Sequence, residues 1–431
     1  MKLAQCRSSS SRWGVGFFVF FVAACGGKAQ DRLGDEPRNG GSHAGSGGSP
    51  TSEPCPVAPR DGDAGEQNQP TPDSGAGSGG SMAEGGMTSA GGATLGGAAG
   101  AATAGAAGAP AQPPLPSCDP IVFEDPDVEF ALRGYLNKPS GALHPADVVG
   151  LEFFSVSGVK SIRGVECLTA LQSLSIGDLP FGSVTDLSPL ASLNKLRELD
   201  IGRNPIASLE PLGKLPQLAA LFASRIPVEL DLTPLSTAPK LATLYLQADT
   251  VTDLKPLGGV ATLRTLDFRS GVLVHPEGVS ALTQLEDFDA TSVFADVAPL
   301  AALTQLQKLR IPRKNIEHFA DLKTLVNLRF LDISSTGITS ISPVSHMPEL
   351  VELVAAGNHI TQTEPLGALT RLSEVILVDN DVVDLGPLVM NTAFGAGDFL
   401  YVNRNALGCD AQAINLQVLQ ARGVKVSSDC P

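Results

Sequence analysis

Seven cysteines (Cys6, Cys25, Cys55, Cys118, Cys167, Cys409 and Cys430) are the residues best equipped for chemistry in this 431-residue chain, and none is spaced as CxxC. Zinc sites and thioredoxin-type redox sites use such pairs, so the spacing points to neither. Cys118 with Cys167, and Cys409 with Cys430, instead bracket the two ends of one region. That placement suits disulfides in an oxidising compartment. Cys55 has no partner by this accounting. The six histidines (His43, His144, His275, His318, His346 and His359) are scattered, with no HxH or HExxH, and His275, His318 and His359 are expected in turns. Gly75, Gly77 and Gly80 match GxGxxG, but no strand precedes them and no helix follows, so the match is compositional. Asp61 and Asp63 lack the further oxygen ligands of a calcium loop. With no nucleophile elbow, phosphate loop or Ser-Lys dyad in the part expected to fold, the sequence predicts a binding protein. It predicts neither an enzyme nor a holder of metal or cofactor.

Composition divides the chain before any element is considered. Gly and Ala saturate the first 117 residues, and the rest is an ordinary globular mixture rich in Leu. The net charge is −15, and aromatic residues make up only 5%. An acidic chain repels phosphate backbones, and few rings leave few platforms for base stacking, so nucleic acid is an unfavourable partner.

At the N-terminus, Lys2, Arg7 and Arg12 precede an apolar run, Gly14 to Ala24, that is too short to span a bilayer. It ends in Val22-Ala23-Ala24-Cys25, which resembles the lipobox of bacterial lipoproteins. The resemblance implies a signal peptide over 1–24, cleavage before Cys25, and lipidation of that thiol. Loss of the leader, with its three basic residues and no acid, takes the net charge from −15 to −18. Gly26 stands where the family associates Asp with inner-membrane retention. The implied location is therefore the outer membrane, facing either the periplasm or the cell exterior. Residues 25–117 carry Gly, Ala, Ser and Pro and almost no large apolar side chain, so nothing offsets the entropy of ordering them. They are expected to be a disordered tether of roughly 50–60 Å r.m.s. length.

From residue 151 the sequence repeats itself. LxxLxL starts at Leu151, Leu171, Leu196, Leu218, Leu241, Leu263, Leu285, Leu306, Leu328, Leu350 and Leu372, and a looser copy follows in Gly397 to Asn405. A second landmark keeps the same beat: DLSPL at Asp186, SLEPL at Ser208, DLTPL at Asp231, DLKPL at Asp253, DVAPL at Asp296, SISPV at Ser340, TEPL at Thr363 and DLGPL at Asp384. Pro fits the first turn of a short helix, where no N–H is needed, and the preceding Asp or Ser can cap it. Capping accounts for these recurring carboxylates better than a metal ladder does. Each period therefore reads as one coil: a short strand, a turn, and a 3₁₀-like turn on the back.

These paired motifs resemble the leucine-rich-repeat family, and specifically its short bacterial, internalin-like class, over residues 118–431. The resemblance implies an α/β repeat fold: a solenoid of about 12 coils over 151–405, a curved parallel sheet on the concave side, and short 3₁₀ or loop segments on the convex side. It also implies a laddering Asn three residues after LxL. Asn204, Asn358, Asn380 and Asn405 keep it, whereas Ile226, Asp249 and Gly271 replace it, which predicts less regular turns in the middle coils. Asp125 to Leu136 has helical period and acids in its first turn, and resembles the helical N-cap within 118–150. Ala411 to Ala421, with Ile414, Leu416, Val418 and Leu419, reads as a helix before a strand Val424 to Val426. These form a C-cap over 406–431, stapled by Cys409 and Cys430.

Strand alternation puts the residues flanking each inward leucine on the concave face. In order these are Phe222, then Tyr245 and Gln247, then Arg264, Asp267 and Arg269. Glu286, Asp287 and Asp289 follow, then Gln307, Lys308 and Arg310, then Arg329, Phe330 and Asp332. They make basic, acidic and basic bands with rings among them, which reads either as a recognition surface rich in the hot-spot types Arg and aromatic or as cross-strand ion pairs on a solvated sheet. The family binds proteins on this face, so the expected partner is a protein or cell-surface polymer. The alternative role is a structural envelope spacer or self-associating adhesin without a single ligand.

Overall fold

The structure, a computed structural model, describes residues 117–177, 182–291 and 293–430. The expected leader, Cys25, Cys55, His43 and the tether up to residue 116 lie outside the described residues. Thirteen strands form one parallel sheet in sequence order. They are β1 Phe153–Ser155, β2 Ser173–Ser175, β3 Glu198–Asp200, β4 Ala220–Leu230, β5 Thr243–Asp253, β6 Thr265–His275, β7 Asp287–Asp289, β8 Lys308–Arg310, β9 Phe330–Asp332, β10 Glu352–Val354, β11 Glu374–Ile376, β12 Phe399–Tyr401 and β13 Lys425–Ser427. The first twelve are the repeats, and β13 belongs to the C-cap.

The second residue of each repeat strand faces the core, from Phe154, Leu174 and Leu199 through Leu221, Leu244 and Phe288 to Leu353 and Leu400. Because the register pairs these residues directly, they stack into one continuous apolar column. A single coil has no partner for its leucines; the neighbouring coils bury them, at about 2 kcal/mol per side chain.

On the back of each coil the Pro-Leu motif forms a short helical turn, mostly 3₁₀, as at Ser188–Ser192, Thr233–Thr237 and Ala298–Ala302. The preceding Asp or Ser caps it through the amide two residues on: Asp186 accepts from Ser188 (2.8 Å), Asp231 from Thr233 (2.8 Å), Asp253 from Lys255 (2.8 Å) and Asp296 from Ala298 (2.9 Å). Ser340 and Asp384 act in the same way. Thr363 differs. It occupies the aliphatic slot, and its buried hydroxyl donates to the Asp384 carbonyl of the next coil. The turns stack closely, and at Gly213 an added Cβ would run into the Pro234 carbonyl oxygen.

Asn204, Asn358, Asn380 and Asn405 do ladder. Asn358 Nδ2 donates to the Ile333 and Ala355 carbonyls (2.9 and 3.0 Å), while Oδ1 accepts from the amides of Thr336 (2.9 Å) and Ile338 (3.3 Å). The middle coils do depart from the regular turn: where Ile226, Asp249 and Gly271 replace the Asn, β4, β5 and β6 run on for 11 residues each, and β4 shifts register against β5 on either side of Ile226. Without a side-chain amide to hold the corner carbonyls, the backbone groups pair with the next coil instead, and β5 and β6 stay in register from Thr243/Thr265 to Asp253/His275. His275 accordingly ends a strand rather than lying in a turn.

Both ends are lidded. Helix α1 (Pro126–Leu136) is capped by Asp125, whose carboxylate accepts from Asp127 (3.0 Å) and from Lys160 of the first coil (2.7 Å). Burial works to raise this carboxyl, but the Lys160 and Asp127 amides outweigh it and hold the group below its ordinary value. Cys118 is bonded to Cys167, with Cα atoms 5.4 Å apart. At the other end the helix Cys409–Ala421 packs Leu416 and Leu419 inward and leaves Ile414 exposed. Its first residue is bonded to Cys430 just beyond β13. Among the described residues no helix is long and apolar enough to cross a membrane.

Candidate binding face

Every strand offers two outward residues, one before and one after its core residue, and the register lines these up into two rows. Running from β3 to β9, the first row is Glu198, Ala220, Thr243, Thr265, Asp287, Lys308 and Phe330. The second row is Asp200, Phe222, Tyr245, Asp267, Asp289, Arg310 and Asp332 over the same strands. Phe222, Tyr245, Asp267, Asp289, Lys308, Arg310 and Phe330 are thereby brought onto one surface. Arg269 joins them on the prolonged β6, beside Gln247.

Arg264, Glu286 and Arg329 lie elsewhere than alternation suggests. Each precedes its strand by one residue and forms a separate row along the leading edge of the sheet. There Arg264 Nε lies 3.3 Å from Glu286 Oε1, and Gln307 donates to Glu286 (3.2 Å). Two further expected contact residues are largely covered: Phe330 and Asp289 are each 9% exposed. Arg310 covers Phe330, its guanidinium carbon 4.4 Å from the ring centre. Arg269 covers Asp289.

The charged bands interlock across strands. Arg269 reaches Asp267 (3.0 Å) and Asp289 (3.3 Å), and Lys308 reaches Asp287 (3.5 Å). Burial, and then Asp289, push the Asp267 carboxyl up to about 6 against the opposing pull of Arg269 and Arg310. Burial, and then Asp267 and Asp287, raise the Tyr245 hydroxyl as well. Tyr245 stacks on Phe222 with ring centres 4.9 Å apart and planes 13° from parallel. Ion pairs and ring stacking thus tie these side chains to one another across the strands.

A second aromatic group escaped the sequence reading. Phe399 and Tyr401 flank Leu400 in β12, half-buried and parallel with ring centres 6.3 Å apart, and Lys425 Nζ lies 4.5 Å from the Phe399 ring centre. The alternation that found Phe222 finds these too once it is carried into the last, looser repeat.

Among the described residues, no group of three or more His, Cys, Asp or Glu is placed to hold a metal ion. Of the described histidines, His144, His275, His318 and His359 pair singly with carboxylates at the surface, as His318 with Asp296 (2.9 Å) and His359 with Asp381 (3.3 Å), and His346 lies beside the Ser345 hydroxyl. A groove of about 340 Å³ lies on the turn side, lined by Asp186, Ser188, Glu210, Pro211 and Lys214, away from the concave rows.

No protein-family profile matches the chain, and no curated protein matches it either. Among solved structures, an internalin from Listeria monocytogenes is 24% identical over 72% of this chain and 97% of its own, with a TM-score of 0.58. Internalin C2 from the same organism is 25% identical over 55% of this chain and 96% of its own, at a TM-score of 0.40. The ectodomain of a plant receptor kinase from Arabidopsis thaliana is 18% identical over 66% and 36%, at 0.45. The first of these likenesses, with the open parallel sheet and stapled cap, establishes the fold as a leucine-rich-repeat solenoid.

Proposed function

We propose that this chain is a membrane-anchored extracytoplasmic binding protein whose concave sheet recognises a protein or surface polymer. Lipid on Cys25 would fix it to the outer membrane, and the segment 25–117 would give the solenoid reach. The observation that carries this reading is the prearranged second row: the Phe222–Tyr245 stack beside the Asp267–Arg269–Asp289 triad. Rigid side chains lose little entropy on binding, so shape and charge complementarity convert efficiently into affinity. Rings and arginines at the centre of such a surface are the types on which binding energy concentrates.

A photo-crosslinking amino acid placed at Tyr245 in cells, compared with one at Lys214 on the turn side, tests this. A discrete adduct from Tyr245 alone is expected; equal labelling from both sites removes the concave face as the binding face. Protease treatment of intact and permeabilised cells decides whether the ligand lies outside or in the periplasm.

A second reading, self-association as a spacer or adhesin, draws on exposed apolar side chains at both lids: Phe130 (80% exposed) on α1, with Met390 (78%) and Ile414 (74%) at the opposite end. Concentration-dependent oligomers without a captured partner are what it expects.

A further inference from the structure

The concave face changes character toward its C-terminal end. Across β8 to β13 the first row runs Lys308, Phe330, Glu352, Glu374, Phe399 and Lys425. Two adjacent carboxylates sit in the middle, an aromatic ring stands on each side of them, and a cation lies beyond each ring. In the second row the same central strands carry Val354 and Ile376, half-buried, with Tyr401 beside them. Both rings already face a cation, Arg310 over Phe330 and Lys425 over Phe399.

Glu352 and Glu374 stand directly opposite each other on neighbouring strands. Like charges in that position destabilise a sheet. In the central coils the concave carboxylates Asp267, Asp287 and Asp289 each lie in an ion pair, Asp267 and Asp289 sharing Arg269 and Asp287 facing Lys308. Among the described residues, Glu352 and Glu374 take part in no such ion pair. Burial, and then Glu374, push the Glu352 carboxyl above its ordinary value, and the opposing pull of the more distant Arg310 does not offset them. The fold gains nothing from this pair, since uncharged side chains at both positions would suit the sheet better.

We infer that this part of the sheet docks an extended protein segment that places a lysine or arginine side chain between Glu352 and Glu374. The inference rests on the concave face being the binding face. The incoming cation supplies the charge that the pair lacks. Its aliphatic stem lies over Val354 and Ile376, and Phe330 and Phe399 bound the site on either side. Strands stand ~4.8 Å apart, so the two rings are ~14 Å from one another, a span that about four extended residues cover.

The test is selection of a phage-displayed library of random dodecapeptides against the full chain, followed by binding of the enriched peptides to two variants. Enriched peptides are expected to carry Lys or Arg next to an aliphatic residue. They should bind Glu352→Gln/Glu374→Gln protein at least tenfold more weakly, a larger loss than any in Tyr245→Ala protein. The double variant should melt no lower than the parent, because it removes a repulsion, so lost binding cannot be blamed on lost fold. Peptides without a basic residue, or binding unchanged in the double variant, overturn the inference, as does failure to enrich any peptide. If such peptides lose affinity for Tyr245→Ala instead, the concave reading survives while this site does not. If neither variant alters binding, both readings fail together.

Discussion

Arg269 and Asp289 sit on neighbouring strands with Nη2 and Oδ2 3.3 Å apart, and the same guanidinium lies 3.0 Å from Asp267 on its own strand. One cation therefore serves two carboxylates, Asp289 buried and Asp267 half-buried. That sharing has a measurable consequence.

Asp267 has its folded value raised to about 6, first by burial and then by Asp289. A carboxyl raised in the fold favours the native state while protonated and loses that contribution as pH climbs through the folded value. Asp267→Asn is therefore expected to be neutral or stabilising at pH 7.5 and to lose its advantage below about pH 5. The effect should stay under about 1 kcal/mol, because the group is partly exposed and solvent screens it. Melting curves of the two proteins between pH 4 and 8 decide it; a constant difference across the range counts against the assignment.

Tyr245→Ala leaves Phe222 without its stacking partner. The pair contributes about 0.5–1.5 kcal/mol beyond the area it buries. The expected outcome is a modest drop in melting temperature together with a much larger loss of ligand capture, since the ring is a candidate anchor. A loss of stability with capture unchanged would assign the stack to the fold alone.

Asn358→Ala removes the amide that holds one corner of the solenoid and strands the Thr336 and Ile338 amides in the interior, while the Ile333 carbonyl keeps only the Thr336 hydroxyl. Leaving buried backbone groups unmet costs about 1–3 kcal/mol each, partly relieved by water. A loss of several kcal/mol in denaturant is expected, far above that of a substitution at exposed Asp249. Comparable costs at the two positions would show that the Asn ladder is dispensable.

Cys409→Ser with Cys430→Ser opens a loop of 21 residues' separation around the C-terminal lid. Loop-closure entropy puts the stabilisation at about 3 kcal/mol. Because each coil leans only on its neighbours, the damage should stay local. Hydrogen exchange should accelerate in β12 and β13 before it does in β5, and uniform acceleration along the sheet would contradict this one-dimensional picture.

Much of this was legible in the chain. The recurrence of LxxLxL gave the strands, and the Pro-Leu motif with its Asp or Ser gave the turns, because both depend on contacts within one coil. Asp125, Pro126 and the helical spacing after them marked α1 for the same reason. Phe399 and Tyr401 were equally readable and lay just past the point where the alternation was followed.

What the sequence determined by itself is the one-dimensional plan: the period, the inward leucines, the capped turns, and the two lids. Each is a local or nearest-neighbour property, and local chemistry is written in consecutive residues. Only the tertiary structure decided what happens where the local signal is missing. Ile226, Asp249 and Gly271 do not say that their coils become 11-residue strands; the backbone groups of the adjoining coils say it. Nor could alternation tell that Arg264 falls outside the rows, that Arg310 folds down over Phe330, or that Glu352 and Glu374 face each other unneutralised. Those depend on register between residues more than twenty positions apart, and on side chains competing for the same space.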